Sequence, residues 1–162
     1  MISVTERWKF NFGQMAKLYY RGMAEKDGKP KIGRSARLLG VRLGIDIDVE
    51  QIPRDWLNEQ GYLLSEPERR SSGNIVAAAI KNRTGMSVSL SIENLPAFRR
   101  PAIFGGTGLD PLWQIEDSKI NGELEAVQDS ATHVSILPRI TMLLEKYEAA
   151  LANTRDDWEK VL

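Results

Sequence analysis

The 162 residues carry 22 Lys+Arg against 22 Asp+Glu, a formal net charge of zero, with 42% hydrophobic and 27% charged residues. That length suits one domain burying ~70% of its unfolded surface, the composition excludes wholesale disorder, and the balanced charge lacks the basic excess of a generic nucleic-acid binder. With no cysteine and one histidine, His133, a disulfide scaffold, a thiol nucleophile, cysteine-ligated metals and histidine-rich metal sites are excluded.

At the N-terminus, Met1-Ile2-Ser3-Val4-Thr5-Glu6-Arg7 has no basic start leading into an apolar stretch. We therefore expect no cleaved leader and a protein folded in a reducing cytoplasm, with export by a machine that reads the folded chain still open. Alternation begins at 8–12, and Leu18-Tyr19-Tyr20-Arg21-Gly22 reads as an aromatic strand with a turn at Asp27-Gly28 behind it. Residues 31–42 read as loop with one helical turn at most. Strict period-two alternation predicts a half-buried strand over 43–49. The apolar run Ile75-Val76-Ala77-Ala78-Ala79-Ile80 is far short of the ~20 residues that span a bilayer, so no membrane association is expected.

Turn chemistry over 66–73 reads as an exposed connector. Ser87-Val88-Ser89-Leu90-Ser91-Ile92 predicts a strand with its serines on one face. Residues 94–110 then form a long irregular loop, a length that is usually functional or mobile. Short strands are expected over 112–115, 124–127 and 132–137. Ile140, Leu143, Leu144, Tyr147, Leu151 and Trp158 recur at helical spacing, which predicts a C-terminal amphipathic helix. One α+β domain over 1–162 is the expected class.

The chemistry on offer is sparse. Asp46 and Asp48 share a strand face at a spacing suited to a divalent cation, but no third acidic ligand is placed and no metal is expected. Gly105-Gly106-Thr107-Gly108 can cradle a phosphate through backbone N–H groups. It lacks the lysine and following helix of a P-loop, and a tight turn is the competing reading. Arg69-Arg70 and Arg99-Arg100 read as solvated cations. Glu123 and Glu125 can stabilise a positively charged glycosyl transition state, or simply alternate on a wet strand. Arg21, after two tyrosines, offers a bidentate fork for a pyrophosphate.

Taken together, these residues resemble a known family. Leu18-Tyr19-Tyr20-Arg21-Gly22 looks like the first core strand of ADP-ribosyltransferases. Thr84-Gly85-Met86-Ser87-Val88-Ser89 is similar to a strand of the type VI secretion "exported effector two" (Tse2-like) toxins. Trp113-Gln114-Ile115, Gln128-Asp129-Ser130, the run Ala131-Thr132-His133-Val134-Ser135-Ile136-Leu137-Pro138 and a terminal helix holding Trp158-Glu159-Lys160 follow the same order. Two departures stand out: residues 94–110 look like an insertion, and Gly85-Met86-Ser87 lacks a second glycine and a threonine. Glu125 falls near the glutamate of arginine-modifying transferases, on which this branch does not depend.

The resemblance implies a split, bent sheet core with a cleft for NAD as substrate, and a toxin held in check by a cognate antitoxin. It places Arg21 on the pyrophosphate or ribose and Tyr20 near the nicotinamide. Thr84, Gly85 and Ser87 would form the cleft wall, and His133 would contact a ribose hydroxyl or move a proton. Arg21, Ser87 and His133 are thus the expected catalytic set. Rupture of the nicotinamide–ribose bond passes through an oxocarbenium-like state that needs orientation and dipolar charge more than a strong base. Two alternatives remain: a non-catalytic interaction module, or a glycohydrolase that only destroys NAD.

Overall fold

The computed structural model describes residues 17–32, 47–70 and 75–161. The alternation at 8–12, most of 31–42, and Asp46 lie outside the described residues. The aromatic segment forms strand β1 (Leu18–Gly22). Asp27 and Gly28 both take positive φ, 54° and 79°, the pair a two-residue hairpin turn requires. They join β2 (Glu25–Lys26) to β3 (Lys29–Pro30).

Of the strand expected over 43–49, residues 43–46 lie outside the described residues, and the described part enters β4 (Val49–Pro53) at Val49. Strand β4 pairs along its length with β5 (Val76–Ile80), the short apolar run. Next come β6 (Met86–Ser89), β7 (Leu112–Glu116), β8 (Leu124–Gln128) and β9 (His133–Pro138), close to the sequence expectation.

The C-terminal region departs from expectation. Met142–Leu143 is strand β10, paired with Ile80 and Ala79 of β5, and the helix α1 covers only Leu144–Ala152. The helix stops because Asn153 and Thr154 close its end: the Thr154 hydroxyl donates to the Leu151 carbonyl at 2.6 Å. Asp156 and Asp157 just beyond would oppose the helix dipole. Trp158 reaches the core through a 3₁₀ turn (Arg155–Asp157), its Nε1 donating to Thr154 Oγ1 at 3.1 Å. Glu159–Val161, expected within the helix, is strand β11. The predicted apolar stripe therefore mixes helix residues with one residue of β10, Leu143, and with Ile140 and Trp158, which lie in neither helix nor strand.

Strands run β11-β7-β1-β6-β9-β8 in a six-stranded sheet, and β10-β5-β4 form a separate three-stranded sheet. All pairings are antiparallel. The fold is mixed and sheet-rich, with one helix near the C-terminal end among the described residues. No helix there is long and apolar enough to cross a membrane.

Register fixes the two faces of the large sheet. Tyr19 opposes Ile115, Met86 opposes Ile136, and Val88 opposes Val134, all in one buried cluster with Tyr147 and Leu151 of α1. The alternate positions place Tyr20 opposite Ser89, Ser87 opposite Ser135, and Ser89 opposite His133. One face is the core; the other is a row of hydroxyls ending in the imidazole.

Candidate functional site

The two halves of the large sheet meet at a single paired position, Tyr20 with Ser89. Directly after that pair comes Arg21, only 5% exposed. Its Nη1 donates to the Ser87 carbonyl at 2.6 Å, so the guanidinium supplies across the seam the donor that a continued ladder would have provided. Arg21 stays charged at any physiological pH, which fixes a positive charge inside the sheet. Behind it, Tyr147 accepts from the Met86 amide at 2.9 Å and donates to the Ile136 carbonyl at 2.7 Å. Burial pushes this phenol far above its ordinary value, against the lowering effects of the Met86 amide and the Arg21 charge.

On the hydroxyl face lies a cavity of about 310 Å³, lined by Arg21, Gly22, Ser87, Ser89, Thr132 and His133 on the sheet side. Asn94, Leu95, Pro96, Phe98 and Arg99 close the other side. A Cβ on Gly22 would lie 2.6 Å from the Arg99 carbonyl oxygen, so the loop rests directly on the end of β1. The structure thus brings together Arg21, Ser87 and His133, three residues widely separated in sequence.

The remaining expected residues lie elsewhere. Tyr20 shares the hydroxyl face, half-buried opposite Ser89, but is not among the lining residues. Thr84 Oγ1 accepts from the Asp48 amide at 2.6 Å, tying β6 to the start of β4. Gly85 packs under the core: a Cβ there would meet the Ile136 carbonyl oxygen at 2.0 Å and the Tyr147 hydroxyl at 3.0 Å. Neither Thr84 nor Gly85 lines the cavity.

Both glutamates are engaged in ion pairs away from the cavity. Glu123 takes Lys146 at 3.0 Å and the Tyr62 hydroxyl at 3.1 Å; Glu125 accepts from Asn82 at 3.2 Å and lies 3.9 Å from Arg139. Asp48 pairs with Arg83 at 2.6 Å. Among the described residues no group of three acidic or imidazole side chains converges.

The glycine cluster is not a phosphate cradle in this structure. The amides of Gly105, Gly106, Thr107 and Gly108 donate to the carbonyls of Ala102, Pro101, Ala97 and Arg100. A Cβ on Gly106 or Gly108 would collide with loop backbone at 2.1 or 2.7 Å. These glycines let the loop fold on itself, and Arg100 is used inward as well, donating to the Leu95 and Phe104 carbonyls. Only Arg99 of that pair lines the cavity.

Sequence reasoning passed over Asp129 and Ser135 as site residues. Asp129 Oδ1 lies 2.5 Å from His133 Nδ1, and Ser135 Oγ donates to Asp129 Oδ2 at 3.0 Å. Burial raises the Asp129 carboxyl, but hydrogen bonds from His133 and Ser135 and the His133 charge outweigh it and hold the group below the usual carboxylate range. The i, i+4 and i, i+6 spacings carry no strand signal. They become contacts only because the β8–β9 hairpin turns back.

A model of the Tse2 ADP-ribosyltransferase toxins matches residues 17–158. The chain belongs to this family. No curated protein and no solved structure matches it. The family match spans β1, the whole cavity, α1 and Trp158, so the sequence resemblance at Arg21, Ser87 and His133 extends well beyond its short motifs. Membership makes the chain a toxin with an ADP-ribosyltransferase-like fold and implies NAD as the substrate of the family's chemistry.

Proposed function

We propose that this chain is a single-domain toxin that binds NAD at the Arg21–Ser87–His133 cavity and transfers ADP-ribose to a macromolecular target. The observation that carries the reading is the meeting of those three side chains at one opening in the sheet. The family match from 17 to 158 supports one domain and a toxin held in check by an antitoxin; action in the cytoplasm is part of the same reading. Export into a competitor cell belongs to the same reading.

The volume fits the assignment. About 310 Å³ lies at the small end of ligand sites, suited to the nicotinamide nucleoside half while the remainder of the dinucleotide runs outward. Arg21 supplies a fixed positive charge toward the pyrophosphate or adjacent ribose. Ser87 and Ser89 offer hydroxyls to the nicotinamide ribose, and Tyr20 stands beside them for the ring. The Thr84-Gly85 segment acts one step removed, by setting where β6 lies. His133 accepts a hydrogen bond from a ribose hydroxyl or takes the proton of the attacking acceptor. As the C–N bond to nicotinamide breaks, the departing ring keeps the electron pair and the acceptor adds to the ribose carbon. Preorganised dipoles of the hydroxyl row face the developing positive charge.

Expression in bacteria tests the proposal. The wild type is expected to arrest growth, and Ser87→Ala or His133→Ala to relieve the arrest at equal protein level; a harmless wild type at full expression would sink it. Titration with NAD separates enzyme from interaction module. Saturable binding that weakens about 100-fold in Arg21→Ala supports catalysis, consistent with ~1.5–3 kcal/mol for a charge-assisted hydrogen bond. No binding at millimolar NAD favours the module, for which the exposed side chains Phe98, Ile103 and Leu109 on the 94–110 loop offer a docking surface. Product analysis distinguishes transfer from simple hydrolysis of NAD.

A further inference from the structure

The β8–β9 hairpin holds an acid, an imidazole and a hydroxyl in a chain of contacts that ends at the cavity. Its turn is closed by the Asp129 amide donating to the His133 carbonyl at 3.1 Å. Ser130 Oγ accepts from the amides of Thr132 and His133 at 3.3 and 3.1 Å, which sets the backbone from which the imidazole projects. Both carboxylate oxygens of Asp129 are used: one faces His133 Nδ1 at 2.5 Å, the other accepts from Ser135 Oγ at 3.0 Å. Ser135 is buried, so the hydroxyl that steadies the carboxylate is itself held in the sheet.

We infer that Asp129, steadied by Ser135, is a positioning residue that fixes His133 as the Nδ1–H tautomer and presents an unprotonated Nε2 to the cavity. An ionised carboxylate can only accept, so a neutral His133 facing it must carry its proton on Nδ1. Asp129 does not line the cavity whereas His133 does, so the nitrogen left for a ligand is Nε2. Nε2 then acts as acceptor toward a ribose hydroxyl or as base toward the incoming nucleophile. Asp129 does not take the proton; it orients the ring and stabilises the imidazolium that forms. The same division of labour operates wherever a carboxylate backs a catalytic histidine.

The catalytic half of this inference rests on the proposed NAD chemistry; the tautomer does not. Because His133 is the single histidine in the chain, the ring ¹⁵N signals need no residue assignment, and their couplings to the two ring C–H protons tell Nδ1 from Nε2. At about pH 9, where an ordinary imidazole is neutral, the wild type is expected to show a protonated-type Nδ1 and an unprotonated-type Nε2. In Asp129→Ala the pattern is expected to move toward Nε2–H, and Ser135→Ala should produce a smaller shift in the same direction. With NAD plus bacterial lysate protein as the source of acceptor and nicotinamide release above the lysate background as readout, Asp129→Ala should lower kcat about 100-fold with the KM for NAD nearly unchanged. Asp129→Glu should restore part of both signals. An Nε2–H wild type, or a pattern that Asp129→Ala leaves unmoved, overturns the inference whatever the protein does to NAD. A tautomer that moves while kcat holds overturns the positioning role. A wild type with the expected tautomer but no nicotinamide release overturns the functional reading and leaves the Asp129–His133 geometry standing. Unchanged backbone amide spectra in Asp129→Ala separate these outcomes from misfolding.

Discussion

On one face of the six-stranded sheet Met86, Val88, Val134 and Ile136 meet Tyr147 and Leu151 of α1; on the other, Ser87, Ser89 and His133 face a loop that leaves a cavity. The same short strands make both faces, because successive side chains point to opposite sides. The apolar face is closed by a helix whose polar atom is fully committed. The hydroxyl face is covered by backbone turns that bond mainly to themselves. Arg21 belongs to both: register puts it beside Trp113 on the core side, and its guanidinium bridges to Ser87 at the cavity. Apolar packing is concentrated on one side and the cavity on the other, with the Arg21 cation crossing between them.

The sharpest way to break this division is at Tyr147. Replacing it with Phe leaves the Met86 amide and Ile136 carbonyl without their buried partner, and each orphaned group costs ~1–3 kcal/mol. Chemical denaturation of Tyr147→Phe is expected to show a loss of about 2 kcal/mol or more, while NAD affinity changes by less than the Arg21→Ala effect. The reverse outcome, normal stability with abolished binding, would mean the two faces are not separable.

A pH titration sharpens the same point with a smaller effect. Burial pushes both Tyr19 and Tyr147 well above the ordinary phenol value, and the Asp117 hydrogen bond and charge add to the rise at Tyr19. The folded state therefore keeps protons that the unfolded chain sheds above ~10. Their contribution is complete below that pH and is lost as pH rises beyond it. Unfolding free energy measured from pH 8 to 11 should hold steady and then decline, with a shallower decline in Tyr147→Phe. A flat profile in the wild type would contradict the burial of these phenols.

The smallest expected change lies on the covering loop. Phe98 is 66% exposed and lies against Arg99, whose guanidinium stands 5.4 Å from the ring centre. Phe98→Ser should alter stability by no more than ~0.5 kcal/mol. Because Phe98 lines the cavity, NAD titration of this variant reports whether the loop side contributes to binding. A destabilisation of several kcal/mol would show that the loop is part of the core after all.

Much of this arrangement was legible before folding. The aromatic pattern marked β1, alternation marked β6, short strands were expected at β7 to β9, and the shared face of Ser87 and Ser89 followed from period two alone. The helix was drawn too long because Ile140, Leu143 and Trp158 match a helical stripe by spacing. Pairing of β10 with β5 and of β11 with β7, which only a formed sheet can offer, claims the segments on either side of α1. Thr84 and Gly85 carried a family signal, yet they serve to seat β6 against Asp48 and Tyr147.

Local chemistry therefore settled which residues are apolar, which alternate and which turn, since those properties depend on neighbours a few positions away. Tertiary structure alone decided that Arg21 closes a seam at Ser87, that the glycine-cluster amides are spent inside their own loop, and that Asp129 stands behind His133. Strand order and hairpin geometry choose the partners of Arg21 and Asp129, and the folding of one loop on itself chooses those of the glycine-cluster amides; none of this is encoded in the spacing of the residues themselves.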